Sequence, residues 1–559
     1  MQSGNTVWSP KTRAALECTA VAALLLFFFN LEFNIYGQEW LFSLRLPIEL
    51  MIVVLFVAAN TAWPRAKRIA LPFAAVFLSI GALLHLIDVA SSAIYGRTID
   101  LIFDAAQIPH VLDLLAASMG WFIVAPLALA VIAMLLGTII VFALAARALA
   151  AGMGVIASPQ TAKRTVAGLI ALVAAQTADL TGVLANQAMA SSAPAIQAAS
   201  YHAKIISLWF DDGKAVVDEY RRRRGDVRDG KTTLPRLAGT DIYLIFVESY
   251  GASLLERDTH RAVIEDLYGR YGPALEHGGR EAASALIESP TYGGLSWLAH
   301  LTTTAGAWVD TNLEYRAYLR SDLDTMPRIL ARGGHETALV MPGIQRYWPE
   351  SRLLQFDRIY TADDLDYPGL RFGYFGIPDQ FTLERIPQLI SKDRPNFVQV
   401  ALISSHYPFR PIPPFIEDRS RVLDGSVWAP AAEAAGSFTR EDWADPADGY
   451  IAGASYSLRA AFDFAERHTK PEDLVIIMGD HQPWSVVSGN LGGRAAPLHV
   501  ISGRKDLIAC FLADGYQPGL APKRGDVVYG MDWILQRMVA HFGDRGPAEG
   551  CAVPFRAAS

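Results

Sequence analysis

The sequence predicts a multi-domain protein in which an N-terminal α-helical bundle of five transmembrane spans precedes an α/β domain with a mostly parallel sheet. The chain has 559 residues, which is too long for one compact domain. Hydrophobic residues make up 52% of it and charged residues only 19%, against about 25% charged residues in an ordinary soluble protein. The apolar residues are concentrated in the first third of the chain, and strand-like runs alternate with helical segments in the rest.

The N-terminal bundle is predicted from five stretches that can each cross a bilayer, for which about 20 apolar residues are needed. They are Ala14 to Leu31, Leu41 to Ala62, Ile69 to Ala90, Met119 to Ala146 and Val166 to Leu184. The fifth is the weakest because it carries Gln176 and Asp179. Its alternative is a helix that lies on the membrane surface or packs inside the bundle.

Charge placement predicts the orientation of the bundle. Basic residues lie before the first span, between the second and third, and between the fourth and fifth, namely Lys11, Arg13, Arg65, Lys67, Arg68, Arg147, Lys163 and Arg164. The alternate loops are mainly acidic. By the positive-inside rule the N-terminus is cytoplasmic, and five spans export everything after Leu184. We therefore expect a bundle over 1–185, a juxtamembrane connector over 186–238 and an exported domain over 239–559.

Composition also excludes several classes of protein. The net charge is −7, with 49 basic and 56 acidic residues, so nothing suggests nucleic-acid binding. Three cysteines are too few for a disulfide scaffold or a multi-cysteine zinc module. Cys510 and Cys551 both fall in the exported part, and whether they pair is left open.

The exported domain shows the alternation of buried strands and helices that is typical of α/β folds. The predicted strands are Ile242 to Val247, Thr337 to Met341, Phe397 to Ile403, Leu474 to Met478 and Leu498 to Ile501. The predicted helices are Leu323 to Arg332, Gln380 to Ile390, Ile451 to Arg467 and Met531 to His541. An irregular excursion over 411–448 is expected near the functional site.

Ligands of open α/β sheets bind beyond the carboxyl ends of the strands, so residues that directly follow strands are the first candidates for function. Glu248 follows the first strand, and Asp480 and His481 follow the strand at 474–478. All three are suitable metal ligands. His406 follows the strand at 397–403. Taken singly, each of these residues is more often a cap or a surface residue than a functional group.

An anion-binding helix start is predicted at Ser296, because the run Gly293-Gly294-Leu295-Ser296 leads directly into a helical segment. A hydroxyl at a helix start meets unpaired backbone N–H groups, which can hold a phosphate or sulfate. Thr291 is a rival nucleophile.

These residues in this order resemble the alkaline phosphatase/sulfatase superfamily. Sulfatases open a helix with a pattern like C-x-P-S-R-x-x-L-L-T-G, and the stretch from Ser296 to Gly306, S-W-L-A-H-L-T-T-T-A-G, has the same spacing. The string V-I-I-M-G-D-H-Q-P from Val475 to Pro483 resembles the family's C-terminal metal motif. Five spans before an exported domain resemble the membrane-anchored phosphoglycerol transferases, such as lipoteichoic acid synthase and the enzyme that decorates periplasmic glucans.

The resemblance implies one divalent metal ion (Mn, Mg or Zn) held by Glu248, Ser296, Asp480 and His481. Ser296 would attack a membrane phospholipid donor and form a phospho-Ser intermediate, and a glycan or lipid acceptor would then take the phosphoglycerol or, less readily, phosphoethanolamine group. A bacterial inner membrane location with a periplasmic domain follows. The remaining predicted site residues are His406 and His300 in catalysis and Trp348, Arg352, His406 and His499 in substrate binding.

The departures from the sulfatase pattern favour the transferase branch. The sulfatase modification to formylglycine requires Pro and Arg at positions that are Leu298 and His300 here. Two-metal members of the superfamily have a D-x-x-x-H pair, whereas the residue four positions before His406 is Leu402. The alternatives are a phosphodiesterase, phosphatase or sulfatase that uses the same site on a periplasmic substrate, and a membrane scaffold without activity.

Overall fold

The chain divides into two compact units. One comprises Met1–Ala93, Thr98–Ala106 and Trp121–Ser207, and the other comprises the remaining residues, chiefly Leu208–Ser559. The computed structural model describes residues 9–34, 39–42, 46–63, 67–95, 120–180, 191–192, 213–345, 348–372, 376–407, 409–434, 446–489 and 491–553, together with a few single residues between 65 and 203. Most of the predicted connector before Gly213 lies outside the described residues.

The first unit is helical, and a helix overlaps each predicted span. These helices are α1 (Pro10–Phe29), α2 (Ile48–Ala62), α3 (Lys67–Tyr95), α4 (Trp121–Ile156) and α5 (Pro159–Leu180). Of the described residues, Pro10–Phe29, Arg68–Ala93 and Trp121–Ile156 form helices that are long and apolar enough to cross a membrane. The α2 helix is apolar but has only 15 residues. Three candidate spans are therefore present, and five remain a prediction.

The second span was predicted to begin at Leu41, but the helix begins at Ile48. Short strands precede it, of which β1 (Leu31–Asn34) pairs with β2 (Glu39–Phe42) and β3 (Leu46–Pro47) pairs with β4 (Ser191–Ser192). Pro47 is the N-cap of α2, which agrees with the preference of proline for helix starts.

The second unit is built around a sheet that contains nine strands among the described residues. They are β5 (Ile242–Val247), β6 (Glu281–Glu288), β7 (Glu336–Met341), β8 (Arg358–Thr361), β9 (Asn396–Leu402), β10 (Leu474–Gly479), β11 (Ala495–Ser502), β12 (Gln517–Pro518) and β13 (Val527–Gly530). The order is β12-β6-β11-β10-β5-β9-β7-β8, and β13 also pairs with β6. All five predicted strands are present.

The sheet is mixed: it contains the expected parallel strands together with antiparallel ones, so the prediction of a mostly parallel sheet is met in part. Strands β10, β5, β9, β7 and β8 are parallel, but β11 is antiparallel to both β10 and β6. Every residue of β11 is buried. A strand that is buried on both faces has the same continuous apolar sequence in either direction, so its orientation could not be inferred from its composition.

Helices cover both faces of the sheet. They are α6 (Lys214–Arg223), α7 (Ser253–Glu256), α8 (Asp258–His277), α9 (Ser296–Ala305), α10 (Asn312–Arg320), α11 (Met326–Arg332), α12 (Asp379–Leu389), α13 (Ala429–Ala434), α14 (Pro446–Arg467), α15 (Ser485–Ser488), α16 (Lys505–Ala513) and α17 (Trp533–Phe542). Alternate residues of β5 enter opposite cores, since Tyr243, Ile245 and Val247 pack on one face. Ile242, Leu244 and Phe246 pack on the other.

Two features outside the sheet bear on the predicted connector and cysteines. Arg224, the last of four consecutive arginines, is fully buried and donates to the carbonyl oxygen of Ala305 at 2.8 Å and to Asp229 at 2.6 Å. Cys510 and Cys551 form a disulfide that ties α16 to the C-terminal segment.

Candidate active site

The sheet brings the three predicted metal ligands together. Glu248 follows β5 and Asp480 follows β10, and these strands are adjacent and parallel, so their carboxyl ends lie at the same edge. Ligand atoms of Glu248, Asp480 and His481 lie within 4.8 Å of one another, and all three residues are buried. This group of ligands is called the acidic cluster below.

Ser296 reaches the acidic cluster from the start of α9. Its Oγ donates to Glu248 Oε2 at 3.0 Å and lies 3.1 Å from His481 Nε2. The side chain is half-buried, so one side of it stays open to a substrate. No side chain caps the start of α9 among the described residues, and the positive end of the helix dipole at this point favours an anion.

A sharp turn presents Ser296 to the cluster. Gly293, Gly294 and Leu295 all have positive φ, of 67°, 140° and 63°. Glycine adopts this region without cost, but Leu295 is a non-glycine residue held in the left-handed region, which costs about 1–3 kcal/mol. The N–H of Gly293 donates to the carbonyl oxygen of Gln482 at 2.9 Å, which fixes the turn against the loop that carries His481.

The ring of His481 is oriented by the same carbonyl. Nδ1 lies 2.8 Å from the oxygen of Gln482, which can only accept, so Nδ1 carries the proton. Nε2 therefore offers its lone pair to the cluster, 3.4 Å from Glu248 Oε1 and 3.7 Å from Asp480 Oδ2. A backbone carbonyl that fixes the tautomer in this way is a common second partner of metal-binding histidines.

Asp480 carries the clearest sign that the cluster is suited to hold a cation. Its Oδ1 accepts the backbone N–H groups of Ser249 and His481, each at 2.7 Å. Its Oδ2 is buried and has no hydrogen-bond partner among the described residues. A buried carboxylate oxygen without a partner is unfavourable, and a divalent cation between two carboxylates and an imidazole satisfies it.

The electrostatics of the cluster also favour a bound cation. Burial raises the pKa of Asp480, and the neighbouring charge of Glu248 raises it further. Burial also raises the pKa of Glu248, but the electrostatic influence of His406 and the contact with His481 outweigh it and hold that pKa below its usual value. Burial lowers the pKa of His481, while Asp480 and Glu248 raise it above its usual value. Two carboxylates this close repel each other, and a bound cation would remove that repulsion.

Two further predicted catalytic residues lie beside the cluster. His406 is half-buried on the loop after β9, its Nδ1 faces the carbonyl oxygen of Tyr407, and its charge acts on Glu248. His300 lies one turn after Ser296 in α9 and is buried, with its ring 4.0 Å from that of Phe246. Burial lowers the pKa of His300 to about 4, so it is neutral at physiological pH.

The predicted substrate-binding residues are not all in one place. Trp348 is half-buried and lines a cavity together with His300 and Trp297. Arg352 is exposed on the 3₁₀ turn Pro349–Leu353. The neighbouring Arg346 and Tyr347 lie outside the described residues.

His499 and Thr291 have structural contacts instead of an open position at the site. His499 is fully buried in β11, with Nδ1 2.9 Å from Ser284 Oγ and Nε2 3.0 Å from the hydroxyl of Tyr250. Because both ring nitrogens are already bonded, the expected substrate contact of His499 is not supported. Thr291 donates to the carbonyl oxygen of Gly294 and helps to form the turn before Ser296.

Sequence reasoning missed several residues that position the site. Ser249, at φ 56°, donates through its hydroxyl to Glu248 Oε1 at 3.1 Å. Asp379 accepts from the backbone N–H of Ile403 at 2.8 Å and from Ser457 Oγ at 2.6 Å, which holds the turn that leads to His406. Ser249 directly follows Glu248, and that adjacency was a usable signal. No sequence signal pointed to Asp379, since acidic residues are common in the first turn of a helix.

Comparison with solved structures gives similar chains of low identity. The lipoteichoic acid synthase LtaP from Listeria monocytogenes is 13% identical over 57% of this chain and 81% of that chain, with a TM-score of 0.37. The Streptococcus pyogenes phosphoglycerol transferase GacH, in complex with sn-glycerol-1-phosphate, is 12% identical over 59% and 81%, with a TM-score of 0.34. The C-terminal periplasmic domain of EcEptC from Escherichia coli, in complex with Zn, is 11% identical over 58% and 88%, with a TM-score of 0.36.

Two further comparisons were with curated protein sequences and with protein-family models. No curated protein matches the chain significantly in sequence. Residues 301–547 match the family model described as Sulfatase. The match begins after Glu248 and Ser296 and includes Asp480 and His481. A large part of the second unit of this chain is therefore similar to the sulfatase family.

Proposed function

We propose that this protein is a metal-dependent, membrane-anchored phosphoryl-group transferase. It would move a phosphoglycerol or phosphoethanolamine headgroup from a membrane phospholipid to an extracytoplasmic glycan or lipid acceptor. The observation that carries the proposal is the position of Ser296 Oγ, 3.0 Å from Glu248 Oε2 and 3.1 Å from His481 Nε2 at the start of a helix. A hydroxyl at that position is suited to act as a nucleophile beside a cation site and beside a helix N-terminus, whose dipole favours an anion.

In the first step Ser296 Oγ attacks the phosphorus of the lipid headgroup diester. A new P–O bond forms to Ser296, and the P–O bond to diacylglycerol breaks. The serine proton leaves along its existing hydrogen bond to Glu248 Oε2. The N–H groups at the start of α9 bind the non-bridging oxygens. When bound by Glu248, Asp480, His481 and Ser296, a divalent cation supplies Lewis-acid stabilisation of the phosphoryl charge and lowers the pKa of the serine hydroxyl.

We assign the leaving group to His406. It lies close enough to the cluster for its charge to act on Glu248, on a turn held by Asp379. Protonated, it would donate to the departing alkoxide of diacylglycerol, and neutral, it would then accept the proton of the incoming acceptor hydroxyl. That second attack breaks the bond to Ser296 and restores the free serine.

Two other features support a membrane-anchored, extracytoplasmic enzyme. A lipid donor gives a reason for a phosphoryl enzyme to carry apolar helices such as α1, α3 and α4. The disulfide between Cys510 and Cys551 is typical of proteins that work in an oxidising compartment such as the periplasm.

The proposal is tested by incubating the purified full chain with phosphatidylglycerol or phosphatidylethanolamine vesicles and Mn, Mg or Zn. We expect release of diacylglycerol and a headgroup phosphate adduct on Ser296, identified by mass spectrometry of the peptide. Absence of both with all three metals would refute the proposal. Steady turnover of a soluble aryl phosphodiester at a comparable rate would favour a hydrolase with the same site.

A further inference from the structure

A small cavity lies along the flank of α9, the helix that begins at Ser296. Trp297, His300, Leu301 and Thr304 line it from α9, at the spacing of one helix face. Its volume is about 40 Å³, which is room for two or three groups of the size of a water molecule. Trp297 and Trp348 are half-buried members of its wall, so the cavity opens near the residue that follows the nucleophile.

Two polar atoms in the wall of this cavity are left without partners. His300 is 9% exposed and Gln399, on β9, is 5% exposed. Neither His300 Nε2 nor Gln399 Oε1 has a hydrogen-bond partner within the described part of the chain. A folded protein rarely leaves two such atoms unpaired beside one cavity, because each loses its hydrogen bonds to water on burial. A ligand that fills the cavity would supply the missing bonds.

The chemistry of the wall indicates a neutral ligand. Its residues are mainly aromatic or aliphatic, such as Tyr315 and Phe356, and no acidic or basic chain besides His300 lines it among the described residues. A hydroxyl group both donates and accepts, so it can donate to Gln399 Oε1 and pair with His300 Nε2 in either tautomer of the ring. An ammonium group would lose its hydration shell on entering the cavity, and the wall has no carboxylate that would compensate for this loss.

We propose that this cavity is a subsite for the terminal hydroxyl of a glycerol headgroup, so that the enzyme selects phosphoglycerol over phosphoethanolamine. The inference rests on the proposed function and assigns its donor. Gln399 and His300 are then specificity-determining residues, and Ser296 retains its role with either headgroup.

The test compares two lipids and two variants of the full chain. Diacylglycerol release is measured on phosphatidylcholine vesicles that contain either phosphatidylglycerol or phosphatidylethanolamine. We expect the wild-type chain to prefer phosphatidylglycerol, and Gln399→Leu to lower kcat/KM for phosphatidylglycerol at least tenfold, with less than a threefold change for phosphatidylethanolamine. Because Gln399 Oε1 has no partner, the variant should keep the thermal stability of the wild type.

Val398→Ala is the matched control. Val398 precedes Gln399 on β9 and packs in the core on the opposite face of the sheet. The substitution should lower the unfolding temperature while leaving unchanged the ratio of the activities on phosphatidylglycerol and phosphatidylethanolamine. A readout without turnover is the fluorescence of Trp297 and Trp348, which should respond to sn-glycerol-1-phosphate more strongly than to phosphoethanolamine or inorganic phosphate.

The outcomes separate the two proposals. Equal use of both lipids, or a Gln399→Leu variant with the wild-type ratio, overturns the subsite and leaves the transferase activity standing. A fluorescence response to inorganic phosphate that equals the response to sn-glycerol-1-phosphate also overturns the subsite. No diacylglycerol from either lipid refutes the proposed function and the subsite with it.

Discussion

Replacement of Ser296 by alanine is the most direct test of the candidate site. The substitution removes a single oxygen, which lies 3.0 Å from Glu248 Oε2 and 3.1 Å from His481 Nε2. If that oxygen is the nucleophile, no phospho-Ser intermediate forms and diacylglycerol release should fall at least a thousandfold. This corresponds to about 4 kcal/mol of lost transition-state stabilisation.

The same substitution should affect folding and metal binding much less. The lost hydroxyl makes hydrogen bonds to ionisable partners, and such bonds contribute about 1.5–3 kcal/mol each at most. Glu248, Asp480 and His481 still surround the cation site. Ser296→Thr keeps the oxygen and adds a methyl group in the first helical turn, where a β-branched residue costs little, so it should retain more activity than Ser296→Ala.

The assay is diacylglycerol release with lipid vesicles, together with metal content after dialysis and thermal unfolding. Ser426→Ala is a matched control, because Ser426 also begins a short helical turn and donates to a carboxylate, Asp424 Oδ1, at 2.8 Å. It should keep full activity. If Ser296→Ala stays within about tenfold of the wild type, or about 1.4 kcal/mol of barrier, Ser296 is not the nucleophile.

Three other changes have expected outcomes. Asp480→Asn removes the negative charge at the oxygen that has no hydrogen-bond partner among the described residues, so metal affinity, measured by calorimetry, should fall at least a hundredfold. An unchanged affinity would contradict the assigned ligand set. Burial lowers the pKa of His499 to about 3, so stability that is present above about pH 6.5 is lost as the pH falls toward 3, by up to about 1.4 kcal/mol per pH unit. His499→Gln should flatten this fall in unfolding temperature, and an equally steep fall in the variant would show that another group causes it. Arg224→Ala should lower the free energy of unfolding by about 3–5 kcal/mol, because it removes a buried guanidinium that pairs with Asp229 and donates to the carbonyl oxygen of Ala305, and a loss below about 1 kcal/mol would be inconsistent with that.

The cluster could be anticipated because its residues directly follow recognisable strands. The β5 and β10 strands are short, wholly apolar and buried along their length, which is the pattern that sequence reading detects best. Once they are taken as parallel neighbours, Glu248 and Asp480 must lie at the same edge. The structure brings these two acids together with His481 and Ser296, as the motif spacing led us to expect.

The role of His499 could not be anticipated, and the reason lies in a strand that was not recognised. Its partner Ser284 lies on β6, whose sequence from Glu281 to Glu288 is rich in alanine, a residue that is depleted in strands. Without β6, His499 is a polar residue that follows a predicted strand start and has no visible partner. The missed strand therefore explains why the contacts of His499 were not foreseen.

The placement of Ser296 relative to His481 depends on Gln482, a residue that carries no chemistry of its own. Its carbonyl oxygen accepts from His481 Nδ1 and from the N–H of Gly293, so one atom orients both the ring of a candidate metal ligand and the turn that leads to Ser296, the candidate nucleophile. Its side chain is enclosed by glycines, since a Cβ on Gly251 would lie 1.9 Å from Gln482 Oε1 and one on Gly492 would lie 2.5 Å from Nε2. The Asp-His-Gln order after β10 thus combines two ligands with the group that aligns them, and this explains why the string from Val475 to Pro483 is more informative than any of its residues taken singly.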